Sequence, residues 1–439
     1  MSCELQVVGP ADRLYRFLFN GEDPRACDDI PAEACAAVPR NFFRIGTAET
    51  LAKLADELAN AKTVLPWLLG AIGASPLWIG FLVPVRESMS MLPQLLIAGL
   101  AQSRPRRKEI WLAGALLQGA ALAGLVPVAM FLRGAATGAA VLGLLFVFSL
   151  ARALSSVASK DVVGKTIPKR RRGRLAGFTA AASGVLTLAV GLGLVRWVSA
   201  DASPTLFAGL LAVAAGLWFV AAGVFARVAE VDGETRPRTN VVRDAFGRLD
   251  VLRTDAPFRR FLVVRALLIS TALAGPYYVL VARESGGGAE SLGLFVLASG
   301  LASAVSSAVW GRYADRSSRS VLMVAGGVAS GLGILLFALD AAGLLGAGFA
   351  WIAPVAYFAL AVAHSGVRIG RKTYVLDLGA GSKRTDYVAV GNTTIGLLLL
   401  VSGSLGALTP WLGPGGMLLL LSSFGLLGST LATFLPEVE

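Results

Sequence analysis

The sequence specifies an all-α polytopic membrane protein of twelve spans, and three observations predict this class. Hydrophobic residues make up 55% of the 439 and charged residues only 15%, where a soluble domain carries about a quarter charged residues. Apolar stretches of bilayer length recur, with 109–132, 204–226 and 395–412 the plainest; a helical span needs roughly 20 such residues. Glycine is abundant, at 51 residues, and small residues let helices approach closely in lipid.

Taken in order, residues 1–44 form a polar tail, in which 12–19 has the pattern of a short amphipathic helix. The tail carries all three cysteines, Cys3, Cys27 and Cys35. A cytosolic location argues against disulfides, and the absence of companion ligands argues against a metal site. No signal-peptide pattern opens the chain. The apolar stretch 63–101 is too long for one helix and too short for two spans, so the first span is set earlier, at 45–69, and accepts the polar run "AETLAKLADELANAK". The remaining spans are set at 76–100, 109–132, 137–158, 174–198, 205–227, 259–282, 290–310, 319–340, 347–365, 388–409 and 414–435. The polar stretch 228–258 separates a first half, 45–227, from a second, 259–436. Val242, Phe246, Leu249 and Leu252 give it the spacing of a surface helix.

Loop charge sets the orientation. One side carries 27 Lys and Arg residues and the other only Arg133, Arg196 and Arg283. The basic side is therefore expected to be cytoplasmic, with both termini there, in a cytoplasmic membrane. This distribution explains the net charge of +12 without a nucleic-acid partner. Seven of the eight tryptophans, all but Trp218, fall near span ends, where interfacial anchors are expected.

An offset of 212 residues relates the halves. It places Gly99 on Gly311, Arg104 on Arg316, Arg107 on Arg319, Arg172 on Arg384, Lys53 on Arg265 and Arg152 on His364. Six matches at equivalent topological places predict a duplicated six-helix unit.

Two loops make a resemblance specific. "GRYADRSSR" (311–319) has the form Gly-x-x-x-Asp-Arg-x-x-Arg, and "IPKRRRGRLAG" (167–177) places Pro168, Arg172, Gly173 and Gly177 in a second loop pattern. Both resemble the major facilitator superfamily, and the likeness covers residues 45–436. The resemblance implies two pseudo-symmetric six-helix bundles rocking about a central cavity, and secondary active transport by alternating access. It also implies a cytoplasmic latch at the loops. Gly99, Arg107, Arg172, Gly311, Asp315, Arg316, Arg319 and Arg384 are its candidates, with Asp315, Arg316, Arg319 and Arg384 clustering in one access state. The alternative is that these residues only fix topology. Two departures stand out: Ser103 occupies the place of Asp315 in the first-half loop, and the fifth helix (182–193) lacks the glycine–proline signature of antiporters.

Ionisable groups inside spans cost at least ~2.5–3.5 kcal/mol each at mid-helix, so each needs a reason. Lys53, Asp56, Glu57 and the polar Asn60 lie on helix 1, Arg86 and Glu87 on helix 2, Arg152 on helix 4, Arg265 on helix 7 and His364 on helix 10. Helices 1, 4, 7 and 10 line the cavity in the resembled family, so Lys53, Arg152, Arg265 and His364 would form a basic ring for an anionic or amphipathic solute or, alternatively, would each pair with an acid or a helix end and never meet it. Asp56, Glu57 and Glu87 are candidate proton carriers or, alternatively, permanent counter-ions.

No nucleophile–base set or metal-ligand cluster is present, so neither an enzyme nor a cofactor is expected. The expected partners are a small-molecule substrate, H⁺ and membrane lipids, with the chain a monomer. Two other functions stay open: proton-coupled efflux of hydrophobic compounds, and a non-transporting assembly or lipid-handling protein on the same fold.

Overall fold

A computed structural model describes residues 15, 30, 32–197, 203–233, 235, 250–314, 316–349, 351–379 and 383–438. Among them there is no strand, and the helices form twelve rods. Span 1 is Val38–Leu58 continued by Val64–Ala71, and span 2 is Pro76–Met91 continued by Gln94–Gln102. Spans 3 to 6 are Lys108–Phe131, Gly134–Thr166, Lys169–Trp197 and Pro204–Ala226. Span 7 comprises Ala256–Leu268, Ser270–Leu273 and Gly275–Glu284. Spans 8 to 10 are Ala289–Ala314, Ser318–Ala341 and Ile352–Leu378. Span 11 is Lys383–Ser402 with a 3₁₀ extension to Leu408, and span 12 is Thr409–Ala432.

By length and composition alone, eight helical stretches among the described residues can cross a membrane, one of which, Tyr387–Ala432, joins spans 11 and 12. Span 1 is not among them, because it carries the polar run noted above. Large apolar side chains such as Phe131, Val185 and Val401 face outward, as a lipid-bathed surface requires.

The 212-residue offset holds in the helix bounds. Shifted by it, span 2 falls on 288–314 and span 4 on 346–378, close to spans 8 and 10. The breaks repeat too. Span 1 is interrupted at 59–63, where the Asn60 carbonyl accepts from Leu65 N at 3.0 Å and Asn60 Oδ1 from Lys62 N at 2.8 Å. Span 7 is interrupted at Ile269 and Ala274, ahead of Pro276, whose ring has no N–H to give the helix.

Helix bounds differ from expectation at several places. Among the larger differences, span 1 starts at Val38 rather than 45, span 4 runs to Thr166 rather than 158, and span 10 runs to Leu378 rather than 365. The third difference matters most, because it moves Arg368, Arg371 and Lys372 from a loop into a helix. Of the helix expected at 12–19, only Tyr15 is described; it is buried, edge-on to Phe42 with ring centroids 5.6 Å apart. Most of the surface helix expected around 242–252 lies outside the described residues. Cys35 is disulfide-bonded, contrary to the expectation of free thiols, and the other sulfur lies outside the described residues.

The tryptophan expectation also needs correction. Trp67, Trp111 and Trp310 are buried in the bundle rather than anchored at an interface. Trp111 stacks on Phe225 at 3.8 Å, and the Trp310 indole N–H donates to Val362 O at 2.7 Å. Trp351 and Trp411 remain exposed.

The halves meet along two seams, span 2 against span 11 and span 5 against span 8. Both are closely packed at the end away from the basic loops. A Cβ on Gly80 would lie 2.6 Å from Gly406 Cα, and one on Gly293 would lie 2.7 Å from Val195 Cγ2. These glycines bring backbones together where any side chain would hold them apart.

At the basic-loop end the first half is tied to its own exit. Asn41 Nδ2 donates to Ala229 O at 2.8 Å and Asn41 Oδ1 accepts from Ala229 N at 2.9 Å. The fully buried Glu230 carboxylate accepts from Arg107 N at 3.0 Å, Lys108 N at 2.7 Å and Lys165 Nζ at 3.1 Å. Removing it strands a cation and two helix N-terminal donors. Glu230→Ala is expected to destabilise the protein by about 2–4 kcal/mol. Thermal unfolding in detergent checks this; an unchanged midpoint would show that the tie contributes nothing.

Candidate functional site

The spans enclose a cavity of about 440 Å³ between the halves, within the range of small-molecule sites. Its first-half wall carries Asp56, Glu57, Asn60 and Lys62 from span 1, Arg86, Glu87 and Ser90 from span 2, and Arg152 from span 4. Its second-half wall carries Thr271 from span 7, Ser299, Ser303 and Ser306 from span 8, and Tyr357, His364 and Arg368 from span 10. A smaller recess adjoins it, sharing Glu87, His364 and Arg368 and adding Arg265 and Arg371.

The first-half charges are organised by Asp56. Arg86 Nη2 donates to its Oδ1 at 3.1 Å, and Arg152 Nη1 donates to its Oδ2. One carboxylate thus joins spans 1, 2 and 4. The Arg86 guanidinium also sits 4.7 Å above the Phe148 ring, a cation–π contact. Glu57 faces the other half, where its Oε2 accepts from Ser299 Oγ at 2.8 Å and from Asn60 Nδ2 at 3.0 Å. Arg86 and Glu87 diverge on their helix, as adjacent residues must, yet both reach the cavity wall. Arg86 turns to Asp56, and Glu87 turns to the recess.

In the second half, Arg265 Nη2 donates to Asn392 Oδ1 at 2.8 Å. The Thr271 hydroxyl donates to Leu268 O at 2.8 Å and meets His364 Nδ1 at 2.9 Å. The hydroxyl has one proton for these two acceptors; when it goes to Leu268 O, Nδ1 carries the ring hydrogen and Nε2 is left as an acceptor.

The basic ring is drawn together only in part. Arg152 and His364 line the main cavity and Arg265 lines the recess. Lys53 lines neither; its side chain is exposed, with Glu49 one turn away. The loop candidates bond mainly near home. Arg107 Nη1 donates to Pro105 O at 2.9 Å, Arg172 caps span 4 through Gly164 O at 2.7 Å and Ile167 O at 2.9 Å, and Arg319 pairs with Glu437 at 2.7 Å. Arg316 is exposed, Gly99 lies in span 2 and Gly311 in span 8. Asp315 and the side chain of Arg384 lie outside the described residues, and the expected four-residue cluster lies there with them.

Three cations of the site were missed from sequence: Lys62, Arg368 and Arg371. His364, Arg368 and Arg371 stand at i, i+4 and i+7, one face of a helix, and Ser299, Ser303 and Ser306 repeat that spacing on span 8. Both stripes were legible signals. Nothing in the sequence marked Lys62, whose placement depends on the break at Asn60.

No protein-family model matches the sequence, and neither does any curated protein. Solved structures do. A POT family transporter in complex with a thioalcohol-conjugated peptide aligns with TM-score 0.69 at 13% identity, over 93% of this chain and 98% of that one. The inward-open xylose transporter XylE from E. coli aligns with TM-score 0.63 at 14% identity, over 91% and 97%. The nucleoside transporter NupG aligns with TM-score 0.64 at 13% identity, over 90% and 98%. At such identities the likeness is one of fold. The chain is a multi-pass membrane protein with the major facilitator superfamily fold.

Proposed function

We propose that this protein is a secondary transporter that carries a small polar anion across the cytoplasmic membrane by alternating access, coupled to H⁺. The observation that carries the reading is the wall chemistry. The cavity and its recess hold Lys62, Arg86, Arg152, Arg265, Arg368 and Arg371 against Asp56, Glu57 and Glu87, with serines and Tyr357 between them. An excess of cations in a space of this size favours an acidic solute, and the serine stripe weighs against hydrophobic cargo. The glycine seams support a state closed at the end away from the basic loops and facing the basic, cytoplasmic end.

Asp56, held by two guanidiniums, is the permanent counter-ion. Glu57 is the proton carrier of this reading. It meets no cation within ion-pair distance among the described residues, and its bond to Ser299 joins span 1 to span 8. Protonating it removes the charge that strengthens this bond and loosens this one tie between the halves.

The test is uptake of labelled small organic acids into proteoliposomes with an inward proton gradient. The native protein is expected to concentrate an acid only while the gradient lasts. Glu57→Gln is expected to retain exchange of acid for acid but to lose gradient-driven accumulation. Accumulation by Glu57→Gln equal to the native rate would remove Glu57 from coupling, and absence of any acid flux in the native protein would remove the transport reading.

A further inference from the structure

The cavity's charge is divided unevenly between the halves. The first half supplies three cations, Lys62, Arg86 and Arg152, and all three carboxylates. The second supplies Arg265, Arg368 and Arg371, and among the described residues of its walls there is no carboxylate. These three arginines border the smaller recess, whose other surfaces include Phe261, Leu268 and Leu399. Apolar surroundings strengthen the field of each guanidinium. Arg265 is only 6% exposed; it spends Nη2 on Asn392 and leaves Nε with no acceptor. Neither Arg368 nor Arg371 makes an ion pair with a described residue.

One acid reaches this recess, and it comes from the opposite half. Glu87 on span 2 lines it together with Arg265, Arg368 and Arg371. Lys62 and Arg86, which line the main cavity beside it, add to the positive surroundings of the Glu87 carboxylate. Its carboxylate makes no ion pair with any of them, so it stands in their shared field without being fixed to one.

We propose that the recess is a carboxylate subsite for the solute, and that Glu87, whose charge stands among the arginines without bonding to one, competes with the solute's own carboxylate for them. This rests on the transport reading above and adds where the acid group binds. The planar forks of Arg265 and Arg371 suit a carboxylate, which can accept two parallel N–H bonds. The rest of the solute then lies in the larger cavity, along the Ser299, Ser303 and Ser306 stripe. Because Glu87 belongs to the first half and the arginines to the second, its displacement also replaces a direct attraction between the halves with one carried by the solute.

The Glu87 charge beside the arginines opposes a second carboxylate, and removing it is expected to tighten binding about tenfold. The experiment is a thermal-shift titration of the full-length protein in detergent with succinate and, separately, with inorganic phosphate, at constant ionic strength. Glu87→Gln is expected to bind succinate about tenfold tighter than the native chain. Glu87→Asp, which keeps the charge but shortens the reach by one methylene, is expected to fall between them. Adding Arg371→Gln to Glu87→Gln is expected to cancel the gain, and Arg371→Lys to restore part of it. A merely structural role for Glu87 predicts no tighter binding.

The assignment is overturned if Glu87→Gln and Glu87→Asp bind succinate no better than the native chain, or if the gain survives loss of Arg371. It is overturned equally if phosphate is preferred to succinate, or if no variant binds either anion. Native uptake of organic acids alongside any of these results would leave the transport reading standing without this subsite.

Discussion

Asp56→Asn is expected to abolish uptake and to lower stability by about 3 kcal/mol, near the low end for breaking a buried pair by removing one partner. The low end applies because the Asp56 side chain is 16% exposed to the cavity, and so is partly solvated. Asparagine keeps the shape and one acceptor oxygen. It turns an NH₂ toward one of two guanidiniums and leaves both cations without their counter-charge. The two arginines do not contribute equally. Arg86 is 15% exposed and Arg152 is 40% exposed, so solvent screens the second pair more than the first. In double-mutant form, adding Arg86→Gln to Asp56→Asn is therefore expected to recover more stability than adding Arg152→Gln. Thermal unfolding midpoints in detergent decide it. Equal recovery from both, or no loss in the single variant, would mean that Asp56 is not the hub of the first half.

Much of the scaffold could be read from the chain before any coordinates, because lipid imposes long apolar spans and the duplication offered an internal check. The offset that matches Arg107 with Arg319 also relates the observed bounds of spans 2 and 4 to those of spans 8 and 10. What sequence reasoning lost, it lost where helices do not end where hydropathy ends. Hydropathy ends span 10 at 365, and "RIGRK" reads as a cytoplasmic basic loop. The helix instead carries those residues to Leu378, so that Arg368 lines the cavity and Arg371 its recess. Positive charge counted for topology thus turned out to be positive charge of the site.

The same difficulty acted in reverse at Lys53. Its place on helix 1 and its partner Arg265 in the repeat argued for a cavity role, but its side chain is exposed with Glu49 one turn away. Asp56 and Glu57 were identifiable from the rule that intramembrane charges need a reason. Their different fates, one gripped by two arginines and one bonded across the halves to Ser299, depend on side chains brought from spans 2, 4 and 8, which spacing along one helix does not encode.

Gly406→Val is expected to act on the conformational equilibrium rather than on the cavity. Gly80 and Gly406 touch backbone to backbone, and a Cβ on Gly406 would come within 2.9 Å of Gly80 Cα. No flexible side chain stands there to move aside, so spans 2 and 11 must part. Overpacking of this kind costs about 1–3 kcal/mol, and the cost falls only on the state in which this seam is shut. At about 1.4 kcal/mol per tenfold, the upper end shifts the balance between the two access states roughly a hundredfold. Spin labels introduced by Ala74→Cys and Leu412→Cys, on opposite halves near the sealed end, would report the seam directly. The distance between them is expected to lengthen in Gly406→Val and to stay unchanged in Gly216→Val, where an added Cβ meets nothing within 4 Å. Anion binding from the basic-loop side should weaken in step with that lengthening, because the state facing that side is the one made rare. If the label distance is unaltered by Gly406→Val, the glycine seam is not what closes the far end, and the link between tight packing there and access from the basic side fails.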